Sequence, residues 1–181
     1  MICNSMKKRV NSANLIVKES IETALIELME KKSFADITIT EIVTKAGVSR
    51  VSYYRNYYLK EDVLFSAMDK IAGDWKEQAD KSEGDIGEKI IRLFEMERPL
   101  LTLIYKNHLE HLMYDLIRKY CGLSEKIESN VSAYLLSLFA GAFFGWCDEW
   151  VKRGMQETPE QIVDMLKKFE KDNGIAKPSQ L

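Results

Sequence analysis

The chain has little of what catalytic or secreted proteins depend on. Its 181 residues include two histidines, three cysteines and three prolines. Cys3, Cys121 and Cys147 are odd in number and fall in no CxxC spacing. That argues against a disulfide framework and for a reduced, cytoplasmic chain with structural cysteines. A redox sensor would need an exposed thiol of lowered pKa, and nothing in the sequence marks one. His108, His111 and Asp115 can share a helix face, but two histidines without a cysteine partner make a weak metal set, and surface or capping roles suit them better. Nucleophile elbows, phosphate loops, dinucleotide fingerprints and paired catalytic carboxylates are all missing, so neither an enzyme nor a cofactor is expected. No apolar core follows the N-terminus as in a signal peptide. The most apolar run, 133–147, falls short of the ~20 residues of a membrane span. It reads as a buried helix. Strand-like alternation is absent throughout.

What is present begins with 46% hydrophobic residues, enough for a real core. The net charge of −2 is the sum of two unlike parts. Residues 1–60 hold ten Lys/Arg against six Asp/Glu, a balance of +4, and residues 61–181 hold sixteen against twenty-two, a balance of −6. A basic head on an acidic body suits phosphate contact by the head, with the body helping to orient the approach.

The segment 38–57 carries the most information. Thr38 and Glu41 have capping-box spacing, so a helix should begin at Ile39 and bury Ile42 and Val43. Gly47 stands where that helix ends and the backbone turns to positive φ. Ser49 then offers a hydroxyl to the free N–H groups of a second helix from Arg50 to Asn56. Two short helices about a tight turn make a helix-turn-helix, whose second helix enters the DNA major groove.

Thr38, Glu41, Ile42, Ala46, Gly47, Val48, Ser49, Ser52, Tyr53, Tyr54, Lys60, Glu61 and Leu64 fall in register with the DNA-binding segment of the TetR family. The chain therefore resembles a TetR-type bacterial transcriptional regulator, with the match strongest over 15–65. It departs from the pattern at Asn56, Tyr57, Tyr58 and Leu59; Leu59 replaces a usual capping residue. The resemblance implies an α-helical remainder, and the periodicity along the chain reads as an all-α fold of about nine helices. A three-helix DNA-binding domain would occupy 1–58, with 1–11 as a flexible basic arm or solvated tail. A helical ligand-binding and dimerisation domain would occupy 59–181. It implies a homodimer on palindromic double-stranded DNA, a repressor released by a small apolar or amphipathic ligand, and no membrane partner. The alternative is an activator or regulator whose body binds a partner protein.

Arg50 is the first candidate for a base contact, because a guanidinium can hold guanine O6 and N7 together. Ser52 and Tyr53 are secondary base contacts, and Thr38, Ser49, Tyr54, Asn56 and Lys60 are candidates along the backbone. Beyond the head, helical periodicity and breaks predict helices over 14–31, 60–81, 88–97, 100–105, 108–120, 130–153 and 159–172. Pro99 and Pro159 open two of these, and Pro178 lies in the tail. Within the body, Met68, Trp75, Phe94, Tyr105, Tyr114 and Phe143 are candidate ligand contacts or ordinary core. Leu138, Gly141, Gly145, Trp150, Ile162, Met165 and Phe169 are candidates for a dimer interface on the last two helices.

Overall fold

The computed structural model describes residues 2–84, 86–123 and 127–173. Among them are nine α-helices, one 3-10 turn and no strand. The helices are α1 (Ile2–Met29), α2 (Ile39–Ala46), α3 (Arg50–Asn56), α4 (Lys60–Ala79) and α5 (Ile86–Met96). They continue with α6 (Arg98–Lys106), α7 (Glu110–Tyr120), α8 (Asn130–Lys152) and α9 (Pro159–Asn173). The 3-10 turn, Phe34–Asp36, lies between α1 and α2. Pro178 and the expected tail lie outside the described residues.

Local chemistry sets most helix ends. At α2 the Thr38 amide donates to Glu41 Oε2 at 2.9 Å, and the Glu41 amide donates to Thr38 Oγ1 at 3.3 Å. Gly47 ends the helix at φ 66°, a conformation that costs a side chain-bearing residue dearly. Helix α4 starts without a capping side chain at Leu59. Asp62, three residues into the turn, substitutes by accepting from the amides of Tyr58 and Leu59 at 2.9 and 2.7 Å. Helix α9 begins on a reciprocal capping pair, Thr158 N–H to Gln161 Oε1 at 2.9 Å and Gln161 N–H to Thr158 Oγ1 at 3.3 Å. Helix α1 corrects the expected arm. No proline or glycine occurs from residue 2 to residue 29, so nothing halts the helix, and it runs back to Ile2.

Among the described residues one contiguous core runs from Ile21 and Leu25 through Ile42, Val63 and Leu64 to Ile104, Cys147 and Ile162. Helix α4 is its shared member, packing on α1 along one side and on α5 and α7 along the other. Lys119 Nζ reaches both Asp69 oxygens at 2.6 and 2.7 Å, and the Tyr120 hydroxyl donates to the Asp69 carbonyl at 3.1 Å. Gly73 makes room for this clasp, since a Cβ there would stand 3.2 Å from the Tyr120 hydroxyl. The α6–α7 corner also touches the N-terminal helices directly. Asn107 Oδ1 accepts the Phe34 amide at 2.7 Å.

Helix α8 overturns the expectation of a buried helix. It is long and apolar enough to cross a membrane by length and composition, yet little of it is covered. Ala140, Cys147 and Trp150 face inward toward α6 and α7. Val131, Tyr134, Leu135, Leu138 and Phe139 are exposed. Hydrophobicity alone could not tell these two sides apart.

Candidate nucleic-acid interface

Helix α3 is presented outward by the aromatic residues beneath it. Tyr53 is fully buried, with 0% exposure, and its hydroxyl donates to the Leu59 carbonyl at 3.2 Å. Burial pushes its pKa up to about 12. Tyr53 thus cannot reach a base, which corrects the role expected of it. Its neighbour Tyr57, one turn on, is also buried and packs with it at a ring-centroid distance of 6.0 Å. The Tyr57 hydroxyl donates to buried Glu22 on α1 at 2.6 Å, and Ser66 on α4 donates to the same oxygen at 2.7 Å. Desolvation, then the Glu22 hydrogen bond, raises the Tyr57 pKa strongly. This buried carboxylate with two hydroxyl donors ties the end of α3 to two long helices. A satisfied polar network of this kind rigidifies what it joins.

With Tyr53 and Tyr57 inward, the opposite side of the helix is open. Val51 is 69% exposed, Tyr54 is 53% exposed, and Arg50 and Arg55 are exposed beside them. Tyr58, just past the helix end, is 84% exposed. Val51, Arg55 and Tyr58 were not anticipated. The signal for them was present in the spacing: once residues 53 and 57 are assigned inward, 51, 54, 55 and 58 fall on the far face. Arg50 donates from Nη2 to Thr40 Oγ1 on α2.

Other candidates turn out to be engaged within the protein. Thr38 and Ser49 remain exposed at the starts of α2 and α3 while capping them, Ser49 accepting the Ser52 amide at 3.1 Å. Ser52 is half-buried, with its hydroxyl 3.0 Å from that of Ser49. Asn56 is half-buried, donating to the Ser52 carbonyl at 2.9 Å and accepting from Asn14 Nδ2 at 3.0 Å. Lys60 is the clearest reassignment. Its ammonium donates to the Phe34 and Ile37 carbonyls, each at 2.7 Å, and lies 4.6 Å from the Phe34 ring centroid. It closes the turn before α2 instead of standing free for a phosphate.

The surrounding ion pairs neutralise neighbouring cations. Lys45 pairs with Glu27, and Lys32 with Glu41 at 2.6 Å. The Lys32 hydrogen bond, followed by the Thr38 contacts, lowers the Glu41 pKa to about 2. No carboxylate pairs with Arg50 or Arg55 among the described residues.

In the body, Phe94 and Phe143 meet edge to face at 6.3 Å, bringing two of the candidate ligand residues together. Tyr114 packs instead on Phe144 at 5.1 Å, and the Tyr105 hydroxyl donates to Asp148 Oδ1 at 3.0 Å. Met68 is buried in the core and Trp75 is half-buried. Of the interface candidates, Leu138, Met165 and Phe169 are exposed, and Cβ atoms at Gly141 and Gly145 would meet nothing. Trp150 and Ile162 are corrected to core, because each is nearly sealed within the chain itself. Trp150 stacks on Trp146 at 5.8 Å, and its buried Nε1 has no hydrogen-bond acceptor among the described residues.

The family model described as "Transcriptional regulator C-terminal region", TetR_C_8, matches residues 85–172. An uncharacterized HTH-type transcriptional regulator of Bacillus subtilis (strain 168), YerO, is 35% identical over 72 residues. The chain is similar to TetR-type transcriptional regulators. That match covers 40% of this chain and 25% of YerO, so the chain spans about a quarter of its relative's length. Lin0861 from Listeria innocua has the same fold at 17% identity, with a TM-score of 0.70 over 87% of this chain and 90% of its own. The TetR-type motif and the body region matched by the family model thus lie in successive parts of one chain.

Proposed function

We propose that this TetR-like chain acts in the cytoplasm as a homodimeric repressor that binds a palindromic DNA operator through α3. The observation that carries the reading is the outward face of Arg50, Val51, Tyr54 and Arg55, set on a helix anchored from below by Tyr53 and Tyr57. Arg50 and Val51 stand in its first turn, the part of a recognition helix that meets base edges. Arg50 offers a donor pair for guanine, and Val51 an apolar contact for a thymine methyl. Tyr54 and Arg55, further along, suit phosphates. Thr38 and Ser49 lie at helix N-termini that favour anions. The head would comprise 1–58 and the body 59–181, although their packing is continuous.

The exposed apolar side of α8, with Met165 and Phe169 on α9, supports a two-fold interface between copies. Open space at Gly141 and Gly145 favours a close helix approach there. Ligand control is supported by the aromatic body and by the buried Trp150 donor, which an acceptor on a small apolar or amphipathic molecule would satisfy. Two connections can carry such a signal to the head: the α4–α7 clasp at Asp69, and the contact of Asn107 with Phe34. A ligand shifts the heads only as far as its affinities for the two body shapes differ.

The test is selection of bound duplexes from a random pool. The expected result is an inverted repeat with half-sites ~34–36 Å apart, or one helical turn. Recovery of no preferred sequence at low salt refutes the proposal. If the protein selects a repeat but native mass measurement finds a protein, not a small molecule, on the body, the partner-regulated alternative takes its place.

A further inference from the structure

We infer that Thr40 is a positioning residue for Arg50, holding the guanidinium in the orientation with which it reads a base. This rests on the DNA-reading role proposed for α3 and adds a specificity determinant on α2. Arg50 is the first residue of α3, a place where the helix end is positive and a cation is disfavoured. No acidic residue occupies that first turn. The Ser49 hydroxyl beside it is occupied with the Ser52 amide and hydroxyl. Arg50 instead donates from Nη2 to Thr40 Oγ1, across from α3 to the first turn of α2.

The identity of the acceptor matters. Nearby cations Lys32 and Lys45 are each paired with a carboxylate, which cancels their charge locally. Thr40 is neutral, so it fixes one edge of the Arg50 fork while leaving the charge for an external acceptor. A guanidinium has five N–H donors, and a single hydroxyl uses one of them. Thr40 is β-branched, with few side-chain rotamers, and its α2 backbone is held by the Thr38–Glu41 cap. A stiff residue on a fixed helix start therefore buttresses a flexible one. Ordering a long side chain before binding lowers the entropic cost of using it. Both side chains are exposed, so the contact does little for folding and its effect is concentrated in recognition.

The experiment compares wild type, Thr40→Val, Thr40→Ser and Arg50→Ala on the selected duplex and on random duplex. Thr40→Val, which keeps the shape and loses the hydroxyl, should lower the specific-to-random affinity ratio by about 2- to 10-fold, the factor for freeing one long side chain. Random-duplex affinity and melting temperature should stay unchanged. Thr40→Ser should restore the ratio. In an Arg50→Ala background, Thr40→Val should cost nothing more, because the two act as one unit. If Thr40→Val leaves the ratio intact, or lowers it equally without Arg50, the positioning role is overturned while α3 reading stands. A wild-type protein that discriminates between no duplexes overturns both.

Discussion

In the proposed homodimer, removing the exposed apolar pair Leu138 and Phe139 should leave a folded monomer. In one protomer these side chains are 70% and 55% exposed. Full burial of a Leu or Phe contributes about 2–2.5 kcal/mol, so covering the exposed fraction gives about 1.4 kcal/mol for each. A two-fold interface buries both side chains twice, for about 5–6 kcal/mol in total. At 1.4 kcal/mol per decade, Leu138→Ser with Phe139→Ser should raise the dimer Kd about 10⁴-fold. The entropic cost of association is nearly common to both proteins and drops out of the comparison. Sedimentation equilibrium over a concentration series reads the shift, and circular dichroism checks that helix content is unchanged. A double variant that dimerises within tenfold of wild type refutes the assignment of this face. So does a wild type that stays monomeric throughout.

Three further outcomes follow from side chains in the head and at the start of α4. Lys60→Met keeps the stem over Phe34 but removes the donors to two carbonyls, and should lower stability by about 1–3 kcal/mol in urea unfolding. The slope of log affinity against log salt should not change; a decrease near one unit would restore the phosphate role to Lys60. Tyr57→Phe removes one of the two donors to buried Glu22 and should cost about 1–3 kcal/mol, with an undiminished melting temperature counting against the network. Glu41 has its pKa lowered from 4.5 to about 2 by Lys32 and Thr38, so its stabilising effect is complete above 4.5 and is lost as pH falls toward about 2. Glu41→Gln should flatten that stretch of the stability profile, and identical acid titrations of both proteins would disprove the linkage.

The fold was legible wherever a short-range rule governs. The Thr38–Glu41 box, Gly47, Ser49 and the Thr158–Gln161 pair needed only sequence spacing, because capping bonds span three residues. Leu59 looked like a defect because the compensating carboxylate, Asp62, was not recognised as a substitute cap. Tyrosine gave the opposite difficulty. Tyr53, Tyr54, Tyr57 and Tyr58 share one chemistry, yet two are buried and two are exposed. Helical phase separates them only after one has been assigned to the core. Lys60 has a family-like position whose actual partners, Phe34 and Ile37, lie more than twenty residues earlier.

The amino-acid order by itself determined the all-helical architecture and the turn between α2 and α3, since caps, breaks and apolar periods act over one or two turns of chain. Only the tertiary structure decided which aromatic residues face outward, that Lys60 closes a turn, and that Trp150 is core while Leu138 is surface. Those outcomes depend on which distant helix occupies each side, and a side chain's hydrophobicity is the same whether its own protomer or another molecule covers it.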